Sequence, residues 1–236
     1  MKSIVLLLCL SIYGTSVDYS KVWPEDFQYA VQFIKAHNHI IHEVFNENDE
    51  LASMTLSVGF PEMLRYNAFK DFFETKSLEV AYVKYGLEAV DFSIGEFQMK
   101  PSFAESLEKE VENCGELIDL REVLSYSHLN KQQIRKERIE RLKDMKWQLI
   151  YMKAFTLFMF EKYPNLKTED DEFKVAFLAS AYNYGFQSSF IEIENWTRVH
   201  AFPHGLKANV EQYAYSDIAA FYYKNFGKKL IFQINE

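Results

Sequence analysis

The sequence predicts a mostly α-helical protein built as one globular domain, preceded by a segment with a different purpose. Three observations carry this. Glycine (8 residues) and proline (5) are scarce among 236 residues, which argues against a loop-rich β protein. Apolar residues recur at helical spacing along most of the chain. Hydrophobic residues make up 48% and aromatics 17%, so a large core is available without disulfides. The length suits one good-sized domain better than two small ones. The net charge of −8 argues against a nucleic-acid partner.

The first stretch, MKSIVLLLCLSIYGTS, has one Lys, an apolar run from Ile4 to Tyr13, and small residues at Gly14 and Ser16. That is the layout of a secretory signal cut after Ser16, and it predicts an exported protein. The alternative is a buried first helix. The run is too short to span a bilayer, and from Asp18 onward no stretch is long and apolar enough to do so. Leu8 before Cys9 argues against a lipid anchor. Cleavage leaves Cys114 as the only cysteine, so packing rather than a disulfide must hold the fold.

Residues 17–49 read as a helical extension, 50–228 as the main domain and 229–236 as a tail. From Pro24 to Phe45 the apolar set Phe27, Val31, Ile34, Ile41 and Phe45 forms a stripe, with Pro24 at a first helical position. A helix from Asp49 to Val58 is expected to halt at Gly59-Phe60-Pro61. Another, Thr75 to Tyr85, is closed by Gly86. Ser102 is placed to cap a helix carrying Phe103, Leu107, Val111 and Cys114. Asn130 is placed to cap a long stretch to Tyr163, broken at most once. Its first half, KQQIRKERIERLK, is charged, and its second, WQLIYMKAFTLFMF, is apolar, so it starts in solvent and ends in the core. The basic run is read as a solvated face rather than a contact for an anionic polymer. Glu172–Tyr184 is apolar nearly all round and should be central. Val210–Phe226 reads as a last helix, closed by Gly227. The tail, LIFQI, is a short strand, an arm on a partner or a frayed end.

Three stretches carry candidate chemistry. In SVGFPEMLRY, Glu62 sits among Phe60, Pro61, Met63 and Leu64. A carboxyl in apolar company resists ionisation, which suits a general acid. The competing reading is an exposed Glu in a first helical turn, where the helix N-terminus favours the anion. In SIGEFQMKPSFAE, Gly95 and Pro101 break helix and leave Gln98 in irregular chain. Its carboxamide offers a donor and an acceptor, which suits sugar hydroxyl and N-acetyl groups, or else serves the loop backbone. In LASAYNYGF, Tyr182 and Asn183 end an apolar helix that Gly185 caps. They either face a ligand or only terminate the helix.

Taken together, these stretches resemble the lysozyme-like lytic transglycosylases of peptidoglycan, the soluble type related to goose-type lysozyme. That family has a catalytic Glu at a helix edge, then Gly-x-x-Gln-x-x-Pro, then Ala-Tyr-Asn closing a buried helix. Glu62, then Gly95, Gln98 and Pro101, then Ala181, Tyr182 and Asn183 match in order. The resemblance spans roughly residues 50–226. It departs in four places: Met63 where the family usually has Ser, Glu96 where it has an apolar residue, Pro61 before the Glu, and a longer Glu62–Gly95 gap holding an extra helix near Leu78–Tyr85.

The resemblance implies a lysozyme-like fold and a periplasmic enzyme that cleaves the β-1,4 bond between N-acetylmuramic acid and N-acetylglucosamine. Glu62 would be the single acid and then base, giving a 1,6-anhydro-muramoyl product. Gly95, Gln98, Tyr182 and Asn183 would serve the substrate, with no metal or other cofactor. Glycan strands, and envelope proteins as further contacts, would be its partners. Glu96, if it reached the cleft, would be a second carboxylate and make a hydrolytic lysozyme; with Phe97 on the inward side it is a surface charge. Met63 and the extra helix motivate a different class, a non-catalytic glycan-binding or scaffold module. His37, His39 and His42 raise zinc, but His37 turns away from His39 on a helix and no protease spacing is present, so surface histidines are expected.

Overall fold

The structure, a computed structural model, describes residues 17–69, 76–127, 130–227 and 229. The signal-like segment 1–16 and the LIFQI tail lie outside these residues. Among them the chain forms twelve α-helices and one small antiparallel sheet in a single domain. The helices are α1 (Tyr19–Val22), α2 (Pro24–Ala36), α3 (Asn38–Phe45), α4 (Asp49–Phe69), α5 (Lys76–Tyr85) and α6 (Pro101–Glu112). There follow α7 (Ile118–Leu124), α8 (Lys131–Lys143), α9 (Met145–Lys162), α10 (Asp171–Tyr184), α11 (Phe190–Trp196) and α12 (Tyr215–Tyr222). Strands β1 (His200–Phe202) and β2 (Tyr213–Ala214) pair between α11 and α12, with an irregular register. No helix among the described residues is long and apolar enough to cross a membrane.

Helix α4 is the axis of the core. Every residue from Ala52 to Leu64 is buried, so it needs partners all round, and α2, α3, α9, α10 and α12 supply them. Small side chains set the close approaches: a Cβ on Gly227 would come within 2.8 Å of Ser53 Oγ. Thr55 Oγ1 donates to Thr156 Oγ1 of α9 at 3.1 Å, satisfying buried hydroxyls. The extension packs into the same core, with Phe27 of α2 against Phe60 of α4.

Helix α4 does not halt at Gly59-Phe60-Pro61; it runs to Phe69 with Pro61 inside. Pro61 has no N–H for the ladder. Beside it, Tyr215 of α12 donates its hydroxyl to Val58 O at 3.1 Å, supporting this turn of backbone. A tertiary partner thus carries the helix past its breaker. Gly59 is not a stop either. A Cβ there would lie 2.5 Å from the Phe97 ring, so the glycine makes room for the loop before α6.

Other boundaries also move. The Pro24–Phe45 stripe breaks at His37, and the Asn130–Tyr163 stretch breaks at Asp144. Asn130 and Asp144 each cap the helix that follows. Ser102 is not the cap of α6: Pro101 takes the first position, and Ser102 bonds Asp91 through both N–H and Oγ. The last helix begins at Tyr215, not Val210. The residues before it are extended because β2 pairs with β1 and Tyr213 packs edge-on against Tyr19 and Trp23. The sheet of the described residues lies near residues 200–214. Helix α5 packs on α8, where buried Tyr82 donates to Glu105 and accepts from Arg138.

Candidate active site

The three stretches meet. Glu62 from α4, Gln98 from the loop before α6, and Tyr182 and Asn183 from the end of α10 line one cleft of about 490 Å³. Arg65, Lys100, Phe103, Tyr184 and Phe186 complete its main walls. A larger depression of about 690 Å³ beside it, around Cys114, shares only Gln187 with the cleft and none of these side chains. The described residues of α5 do not line the cleft.

Glu62 lies mid-helix, not in an exposed first turn, and its side chain is only 6% exposed. Burial raises its pKa above the usual carboxylate range, because the charged form loses water. Arg65 opposes this from one turn later, with Nη2 2.6 Å from Oε2 in an ion pair, and Lys100 opposes it from farther away. Desolvation is the larger effect. Tyr182 and Tyr215 stand in the same electrostatic neighbourhood, and burial holds both phenols protonated.

The loop that carries Gln98 is a tight turn. Ile94 and Met99 exchange backbone bonds of 2.8 and 3.0 Å, closing Gly95-Glu96-Phe97-Gln98. Gly95 has φ +71°, and Gln98 has φ +49°. A Cβ on Gly95 would come within 1.9 Å of Gln148 Nε2, because Gln148 of α9 accepts from the Phe97 N–H at 3.1 Å. Gly95 therefore shapes the turn and does not itself line the cleft. Gln98 donates one amide N–H to Gly95 O at 2.9 Å and faces the cleft with the rest of its carboxamide. Tyr182 donates to Phe97 O at 2.7 Å, tying α10 to the same turn. It thus braces the floor beneath Glu62.

Glu96 is placed elsewhere. Tyr29 of α2 donates to its Oε1 at 3.0 Å, and Glu96 does not line the cleft. It is neither a freely solvated charge nor a carboxylate facing Glu62. Phe97 takes the inward side, fully buried. The three histidines also stay apart in their bonding: His37 Nδ1 donates to Phe33 O, and His42 lies 3.5 Å from Asp49. Among the described residues no group of three or more His, Cys, Asp or Glu is arranged to hold a metal.

Sequence reading missed four contributors. Arg65 is the i+3 helical neighbour of Glu62, a spacing present in the sequence but not weighed there. Tyr215 and Gln148 act across the fold and leave no local signal. Trp196 of α11 donates to Asn183 Oδ1 at 2.9 Å and stacks on Tyr184 with centroids 4.5 Å apart. That leaves the two N–H donors of Asn183 and one face of Tyr184 for a ligand. The far wall is pinned by Lys162 and Tyr163, which donate to the carbonyls of Phe186 and Ser188.

No protein-family model, curated protein or solved structure matches this chain.

Proposed function

We propose that this protein is an exported lytic transglycosylase of lysozyme-like fold, acting on peptidoglycan glycan strands. One observation carries the reading: a buried carboxyl, raised toward its neutral form, shares a cleft with the carboxamides of Gln98 and Asn183 and the aromatic face of Tyr184. An acid that must both give and take a proton works best with a pKa near the operating pH. Glu62 gives its proton to the glycosidic oxygen as the C1–O bond breaks. The resulting carboxylate then takes the proton of the muramoyl C6 hydroxyl, whose oxygen closes on C1. The products are a free 4-hydroxyl and a 1,6-anhydro ring, with no water consumed and Glu62 protonated again. Glu96, turned to α2, supports no water-activating partner.

The ion pair with Arg65 favours a second reading, a glycan-binding module in which Glu62 stays charged. Digestion of purified sacculi separates the two. Transglycosylation yields anhydro-muramoyl ends, which Glu62→Gln abolishes. Reducing ends would mean hydrolysis. Strand binding without products would mean the module, and equal activity in Glu62→Gln would remove Glu62 from the chemistry.

A further inference from the structure

The Glu62–Arg65 pair is lopsided. Glu62 is held in the core, 6% exposed, while the Arg65 side chain is 32% exposed and opens into the cleft. A long side chain at the surface can re-aim by changing rotamer; a buried carboxyl in a helix cannot follow. The charge around the cleft is equally uneven. In a chain of net charge −8, the described residues of the cleft include two cations, Arg65 and Lys100, and one acidic group, Glu62. The cleft therefore favours an anionic ligand, and the guanidinium is the donor best shaped to take a carboxylate.

We propose that Arg65 selects glycan bearing a carboxylate and couples that selection to Glu62: the substrate's carboxylate takes the guanidinium, and Glu62, left without its partner, takes up a proton from solvent. This rests on the reading of Glu62 as the acid. The groups facing Glu62 are Arg65 on its own helix, Lys100 before α6, Tyr182 on α10 and Tyr215 on α12. Both phenols are held neutral by burial, so once Arg65 turns to the substrate, Lys100 is the one cation among the described residues left to oppose the desolvation of Glu62. The proton gained is the one later given to the glycosidic oxygen. The ion pair is thus a resting latch: it holds down the proton affinity of Glu62 in the empty cleft, and a carboxylate on the strand opens it.

The test uses the mature protein and three glycans: peptide-bearing strands, strands stripped to the free lactyl carboxylate, and neutral chito-oligosaccharide. Wild type should prefer one or both carboxylate-bearing strands, and which one identifies the carboxylate read. Arg65→Met should cut the ratio of acidic to neutral turnover at least tenfold, with Arg65→Lys partly restoring it. In Arg65→Met the alkaline limb of kcat/KM, which reports the free enzyme, should move to higher pH, while that of kcat on acidic strands stays. Calorimetry in two buffers of different ionisation heat should find proton uptake on binding stripped strands, absent in Glu62→Gln. An unchanged selectivity ratio, an unmoved kcat/KM limb, or equal uptake in Glu62→Gln overturns the proposal. If Glu62→Gln digests sacculi as wild type does, the acid assignment fails instead. If wild type makes no products, the uptake measurement still decides the coupling.

Discussion

Helix α6 separates two clusters of buried charge that are built on opposite terms. On one face Arg138 of α8 is closed in by partners. It donates to Glu108 through Nε and Nη2 and to Glu105 and Tyr82 through Nη1, while Tyr126 and Tyr151 donate to Glu108. On the other face lies the cleft, where Glu62 has one close cation and a cavity beside it. Saturated, a buried charge becomes a clamp, and this one fastens α5 to α6 and α8. Left with one movable partner at a cavity, it keeps its proton in play. The difference is the number of partners, not burial, since both groups are nearly inaccessible.

Substitution of each centre breaks this comparison most directly. Glu62→Gln should lower sacculus digestion by about 10²–10⁴-fold, the usual worth of a positioned acid–base group, without loosening the fold. Arg138→Met should do the reverse in kind. Glu108, its side chain only 12% exposed, would be left without its cation, at a cost of about 3 kcal/mol read by denaturant unfolding. If Arg138→Met left stability intact, or Glu62→Gln unfolded the protein, the two clusters would not differ as described.

A smaller effect tests the turn that joins them to α9. Gly95→Ala should destabilise by about 1–3 kcal/mol, because φ +71° and the Gln148 side chain both oppose a Cβ. Circular-dichroism melts would measure it, and a neutral result would mean the turn relaxes freely.

The pH dependence of stability gives a finer comparison. The folded-state pKa of Glu62 is raised, so the native state binds its proton more tightly than the unfolded chain does. Stability from this group is therefore fully present below the unfolded carboxyl value and falls as pH rises through the folded one. Glu62→Gln removes that loss. Its melting temperature should exceed wild type at neutral pH, by about 2–4 °C for each kcal/mol regained, and the gap should close below about pH 4. A gap that widened in acid would mean that Arg65, not desolvation, governs Glu62. Smallest is Trp196→Phe, which keeps the stack on Tyr184 but loses the bond to Asn183. It should weaken strand binding by roughly 1 kcal/mol, or several-fold in Kd.

The helical character, the cap at Asn130 and the order of the three chemical stretches could all be read from the residues, because caps and apolar stripes are local interactions; the break and second cap at Asp144 went unplaced. Nothing local could carry α4 past Pro61. A sequence reader rightly sees a breaker there, but packing on all sides and the Tyr215 hydroxyl on Val58 O, brought from far along the chain, hold the helix through it. Gly59 misleads in the same way, since its purpose is to receive the Phe97 ring.

By itself, then, the sequence determined a helical chain and the residue types for a carboxyl set among carboxamides and aromatic rings, since those follow from composition, period and spacing. The tertiary structure decided which of them meet. It gathered Glu62, Gln98, Tyr182 and Asn183 on one cleft, sent Glu96 to Tyr29, and set Arg65 against Glu62. The reason is physical: whether a carboxyl stays charged depends on the water and charges around it, and these come from α4, α10, α12 and the turn before α6 together.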